Sequence, residues 1–191
     1  MVPLVILIVL VLVVFYVIGL YNGLIRLRNQ VQNAWSQIDV QLKRRHDLIP
    51  NLIETVRGYM KHERETLESV TKARADAMSA QTVGDKSKAE GILGGALGQL
   101  RVAVEAYPDL KANQNFLSLQ EELSSTENKI SFSRQNYNDQ VLFYNNKIQM
   151  FPSNIVAGMF NFQKGEFFQL EDKADKEVPK VNLESYTSGQ K

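Results

Sequence analysis

The chain contains no cysteine, which excludes a disulfide framework, a thiolate zinc site and a thiol nucleophile, and fits a reducing or an oxidising compartment equally well. Histidine is almost as scarce. His62-Glu63 with Glu65 starts like a metal motif, but no second histidine follows four residues on, so the zinc-hydrolase reading fails. His46 and His62 are each expected to be solvated on a charged helical stretch. Excess charge is missing too: 22 Lys and Arg against 21 Asp and Glu leave +1, which provides no field to hold nucleic acid or a strongly acidic partner. There is no Gly-x-Ser-x-Gly elbow, and the glycines match neither a P-loop nor a dinucleotide fingerprint. Strand-period segments are absent, as is any internal repeat of about 20–50 residues. With no nucleophile beside an obvious base, the sequence predicts no catalytic residue, no cofactor and no metal: the chain does not read as an enzyme.

What the chain does have is one long apolar run. From Val2 to Tyr21 there is no charged residue, and about 20 residues at 1.5 Å each cross a hydrocarbon core roughly 30 Å thick. No basic stretch precedes the run and no small-x-small cleavage site follows it, so a retained anchor is expected rather than a signal peptide. Arg26, Arg28 and then Lys43, Arg44 and Arg45 all follow the span. The positive-inside rule then places the N-terminus outside and the rest at the cytoplasmic face of the cell's inner membrane. The expected organisation is an anchor over 1–21, a helical bundle over 22–165 and a partly mobile C-terminal tail over 166–191. Of the 191 residues, roughly 170 lie outside the span, enough for one domain with a sizeable core.

Apolar residues recur at Val31, Trp35, Ile38, Leu42, Ile49, Leu52, Val56, Tyr59, Leu67 and Val70, mostly in steps of three and four, which is the stripe of an amphipathic helix. Pro50 interrupts it, with Asp47 placed to cap a new helix. Two helices, 22–46 and 48–79, are therefore expected, with a kinked continuous helix as the alternative because the stripe keeps its phase. Ala80–Asp85 reads as a turn and 86–106 as the next helix. Tyr107-Pro108-Asp109 then reverses the chain into a helix over 112–150, which Phe151-Pro152 stops. That last helix carries Phe116, Leu119, Leu123, Ile130, Tyr137, Val141, Tyr144 and Ile148 on one face. Its other positions are rich in Asn, Gln and Ser, so packing rather than propensity must hold it. The fold class is all-α: a transmembrane helix followed by an elongated up-and-down bundle of four helices, or of three with one kinked.

Several motifs in order, Tyr21-Asn22-Gly23-Leu24, Ala34-Trp35-Ser36-Gln37-Ile38-Asp39, Asp47-Leu48-Ile49-Pro50-Asn51-Leu52, Tyr107-Pro108-Asp109-Leu110 and Phe151-Pro152-Ser153-Asn154, make the chain resemble the LemA family over essentially its whole length. The resemblance implies an N-terminally anchored bacterial protein with a helical bundle, and supplies no catalytic residues. Gly91, Gly94, Gly95 and Gly98 give the third helix more glycine than that resemblance leads one to expect.

Three surfaces remain as candidates. Gly91, Gly94, Gly95 and Gly98 lie within an arc of about 100° on one helix, and Gly19 with Gly23 repeats the small-x-x-x-small spacing at the membrane exit. They suggest a homo-oligomer interface, against the alternatives that the stripe packs within its own bundle or forms a hinge. Lys43, Arg44 and Arg45 form a basic patch that either binds a surface or is solvated and paired internally. Phe151, Ile155, Met159, Phe160, Phe162, Phe167 and Phe168 either cap the bundle or contact the bilayer or a neighbouring subunit. Trp35 is expected in the core. The expected role is a non-enzymatic structural or interaction protein held in the lipid bilayer by residues 2–21, binding copies of itself or other membrane proteins but no nucleic acid. The alternatives are a membrane-tethered signalling or receptor-type protein with an unidentified partner and, behind it, an enzyme with an unrecognised site.

Overall fold

The structure is a computed structural model describing residues 2–169; the tail expected over 166–191 lies outside the described residues from position 170 onward. Every element within them is helical: α1 Val2–Arg57, α2 Arg64–Ser79, α3 Val83–Val104, α4 Pro108–Lys111, α5 Gln114–Gln149 and α6 Ser153–Met159. The all-α expectation holds, and so do the turn before α3 and the reversal at Tyr107-Pro108. Thr82 caps α3, accepting from Asp85 N–H at 3.0 Å and donating to the Asp85 carboxylate at 2.7 Å. Pro108 stands at the start of α4, and Asn113 caps α5 by accepting from Phe116 N–H.

One boundary is corrected. The expected break at Asp47–Pro50 does not occur; α1 runs for 56 residues, about 84 Å, from the apolar run deep into the bundle. A proline inside a helix has no N–H for the carbonyl four residues back, so His46 C=O loses its partner. Arg74, on α2, supplies the substitute: its Nε donates to that carbonyl at 2.7 Å. Ile49, Leu52 and Ile53 are buried on either side of the exposed Pro50, so packing holds the helix in phase across it. The true break lies at 58–63. Tyr59 and Met60 N–H groups both bond Val56 C=O, and the buried Met60 pins the reversal.

From that turn α2 packs on α3, α4 crosses the far end, and α5 returns along nearly the full soluble length of α1 to α6. Three apolar clusters stack along α1. Far from the span, Ile49, Val56, Val70, Leu93, Leu100, Leu110 and Phe116 join five helices. In the middle, Ala34, Ile38 and Leu42 meet Ile130, Tyr137 and Val141. Beside the span, Leu24 meets Val156 and Ala157. Each fully buried aliphatic contributes about 1.5–3 kcal/mol.

A four-helix cross-section exists only in the far half, because α2 and α3, with 16 and 22 residues, are too short to follow the 36 residues of α5. Below them the segment after α6 takes their place. Asn161, at φ 54, ends α6 in the left-handed region. Phe162 N–H then bonds Ala157 C=O at 2.9 Å and Asn161 N–H bonds Gly158 C=O, the pairing of a Schellman termination. From there residues 163–169 climb between α1 and α5 as a strap. Asn145 exchanges two hydrogen bonds with the Gly165 backbone, and Asn138 exchanges two with the Phe168 backbone. The two rungs are seven residues apart on a helix and three apart on the strap. Seven helical rises are about 10.5 Å and three extended ones about 10 Å, so the registers match. This is where the asparagines of α5 act: they supply, from side chains, the partners that an isolated extended segment lacks.

Candidate functional site

The basic triplet does not form one patch. Lys43 is exposed and pairs with Asp47, and Arg44 is half-exposed, 3.8 Å from Glu122. Arg45 turns inward, which corrects its place in a binding surface. It falls on the apolar stripe of α1, between Leu42 and Ile49. Its guanidinium is clamped by the Glu90 carboxylate of α3, also buried, and by Glu127 of α5 at 2.5 Å. His46, expected to be solvated, is buried as well, its Nε2 lying 2.8 Å from Glu90 Oε1. Only His62 follows the expectation, on the exposed turn. Burial pushes the Glu90 carboxyl up, but His46 and Arg45 together outweigh it and hold it below the usual carboxylate range. The Arg74 bond to His46 C=O adjoins this cluster, which ties α1, α2, α3 and α5 together at one level.

Sequence reading missed Glu90 and Glu127. A signal did exist for the first pair: Glu90 lies three residues before the buried Leu93, so opposite charges occupy the core-facing phase of two different helices. Such a pair positions helices; it presents nothing to a substrate. At the far end an open cleft of about 480 Å³, lined by residues including Ile53, Arg57, Met60, Arg64, Leu67 and Glu68, holds aliphatic stems and the Arg64–Glu68 ion pair, and the Thr71 hydroxyl on its wall donates to Leu67 C=O at 2.9 Å. Among the described residues no three His, Asp or Glu side chains gather as a metal site.

Trp35 is half-buried, its ring 5.4 Å from Tyr137 and 5.7 Å from Phe168, with the Lys86 ammonium 5.4 Å over its face and paired to Asp39. The Tyr137 hydroxyl donates to Glu166 C=O at 2.8 Å; burial, and then the Glu166 charge, raise its pKa to about 12.

The glycines of α3 face outward. Gly94, Gly95 and Gly98 are exposed and Gly91 partly so. A Cβ added at Gly94, Gly95 or Gly98 meets nothing within 4 Å. Leu93, Ala96 and Leu100 occupy the opposite side of α3 and are buried. Gly94, Gly95 and Gly98 therefore do not pack into their own bundle, α3 runs through them unbroken, and the exposed Val102 continues the same face. Gly19 and Gly23 also have open space around them.

Residues 151–168 divide. Phe168 is fully buried, and Phe162 packs on Tyr21 with the Arg28 guanidinium 5.5 Å over its ring. Phe151, Ile155, Met159, Phe160 and Phe167 are exposed, while Ser153, Val156 and Ala157 form the inward face of α6.

Comparison with known proteins gives consistent results. The model of the LemA family matches residues 34–183. The chain is 32% identical over 163 residues to Protein LemA of Metamycoplasma hominis, covering 83% of this chain and 73% of that protein. It is similar, at 24% identity over 181 residues, to Magnetosome protein MamQ 1 of Paramagnetospirillum magneticum, and at 23% to Magnetosome protein MamQ of Magnetospirillum gryphiswaldense. Each of those two matches covers 81% of this chain and 66% of the relative, just under two thirds of its length.

Proposed function

The chain belongs to the LemA family as a membrane-associated, non-enzymatic helical protein of a bacterial membrane, and on that premise we propose that it is a scaffold that self-associates through the outer face of α3. The observation that carries this reading is the glycine stripe turned to solvent. In a helix each glycine is less favourable than alanine by about 0.8–1 kcal/mol, and nothing inside the bundle compensates at Gly94, Gly95 or Gly98. Close approach of a second copy would, with Val102 and the exposed Ile92 alongside to be covered. Because α1 passes without interruption from the apolar run into the bundle, neighbouring copies would rise in parallel from one membrane, which raises their effective concentration. The reading places residues 2–21 across the bilayer, the N-terminus outside and the bundle in the cytoplasm, as the basic residues after the span favour.

The test uses the full chain. In mild detergent the wild type should run as an oligomer, and Gly94→Leu with Gly95→Leu should run as a monomer that is no less helical, since both side chains have room and leucine is the better helix former. A monomeric wild type, or an unchanged assembly in the double variant, would sink the interface. In the same cysteine-free background, Ser124→Cys should resist a membrane-impermeant maleimide applied to intact cells; ready labelling would reverse the orientation.

A further inference from the structure

We propose that α6 and its flanks are a second membrane contact, in which Met150, Phe151, Ile155, Met159 and Phe160 enter the interface of the bilayer around the foot of α1. Three observations converge on this assignment. The first is depth. The Val156 and Ala157 side of α6 packs with Leu24, Val17, Leu20 and Tyr21, and the last three of those belong to the final turns of the apolar run. Val17 lies about 6 Å further into the span than Tyr21. The ring of Phe160 stands 4.7 Å from that of Tyr21. An element fixed there sits at the level where hydrocarbon gives way to headgroups.

The second is the surface that α6 leaves uncovered. Its inward face is already used, yet its outward face carries large apolar side chains beside the exposed Asn154: Ile155 and Met159 lie one turn apart, and Met150 and Phe151 precede them. Phe151 is 79% exposed and Met159 73%. Towards water such a collar is unfavourable. Continuous with the lipid-facing side chains of Val2–Tyr16, it meets the same solvent that they do.

The third is charge. No acidic residue occurs from 1 to 38 or from 140 to 165. The charged side chains at this end are therefore Arg26, Arg28, Lys147 and Lys164, all cationic, whereas acids and bases alternate through the rest of the bundle. A collar of apolar side chains edged only by cations fits an anionic lipid surface. The contact would hold the bundle at a fixed tilt and rotation, because α6 is attached to α1 and α5 at once. The inference rests on the span crossing a bilayer and is independent of self-association.

Because the chain has no cysteine, single introduced cysteines give unique nitroxide sites. The full chain carrying Ile155→Cys or Met159→Cys is reconstituted in phosphatidylcholine vesicles, with and without phosphatidylglycerol. Collision with dissolved oxygen is compared with collision with a water-soluble nickel complex. Ile8→Cys in the span and Phe132→Cys, exposed higher on α5, are the references. Oxygen should dominate at 155 and 159 as at 8, more strongly with the anionic lipid, and nickel should dominate at 132. Nickel dominance at both 155 and 159, with oxygen still dominant at 8, would overturn the contact alone. Shielding from both reagents would assign the surface to protein and overturn it too. Nickel dominance at 8 would remove the span and the contact together. Indifference to the anionic lipid would overturn the headgroup role of the cations.

Discussion

Truncating Glu90 to alanine tests whether the inward turn of Arg45 is a structural clamp. In the wild type both side chains are almost wholly buried, 3% and 1% exposed, and the remaining carboxylate, Glu127, is half in water. Breaking a buried ion pair by removing one partner costs about 3–5 kcal/mol, because the other charge stays behind without compensation. Glu127 remains within 2.5 Å of Arg45, so the lower end, about 3 kcal/mol, is expected. For a chain of this size that lowers Tm by about 6–12 °C, read by far-ultraviolet circular dichroism of the full chain in detergent. Arg45→Met combined with Glu90→Leu should be milder than the single change, within about 1 kcal/mol of wild type, since no charge is then left in the core. Acid gives an independent reading. Because the folded pKa of Glu90 lies below its ordinary 4.5, the stability owed to its ionisation is complete above that value and is lost as the pH falls through the lower, folded one. The advantage of wild type over Glu90→Gln should therefore shrink as the pH drops below 4.5. A Tm change under about 2 °C for Glu90→Ala, or a double variant as poor as the sum of its parts, would refute the clamp.

Two further expectations follow from the same kind of accounting for polar groups. Arg74→Met should cost about 1–3 kcal/mol by leaving His46 C=O unpaired. It should cost clearly less in a Pro50→Ala background, where an N–H is restored to the helix; equal costs in the two backgrounds, by thermal unfolding, would exclude this coupling. Asn138→Leu should remove both bonds to the Phe168 backbone and loosen the strap. Limited proteolysis should then cleave between 163 and 169 several-fold faster with little change within α2 and α3, and unchanged cleavage would show that the buried Phe168 alone secures it.

The apolar period decided much before any tertiary contact was known. A charge-free run of membrane-spanning length, stripes at helical spacing and prolines at the reversals determined an anchored all-α bundle, because each of these is a local property of the chain. Tyr137 was legible as a core residue for the same reason, and Trp35, expected in the core, is half-buried against it. Where the helices break was less so. Pro50 breaks an isolated helix, but here Arg74, distant in sequence, completes the carbonyl that the proline leaves open, and only the fold brings the two together. The fates of the glycine stripe and of 151–168 were equally undecided, since periodicity shows which residues share a face and not what that face meets.

The inward turn of Arg45 draws the line most clearly. Its place on the apolar stripe, and that of Glu90 on another, could be read from spacing alone. That the two stripes meet at that level, so that each charge finds its opposite in the core, depends on the register of α1 against α3, and register is set by packing between helices rather than within them. The strap follows the same rule: Asn138 and Asn145 are ordinary polar positions until the chain returns after α6, and they become hydrogen-bonding rungs because seven residues of helix match three of extended chain.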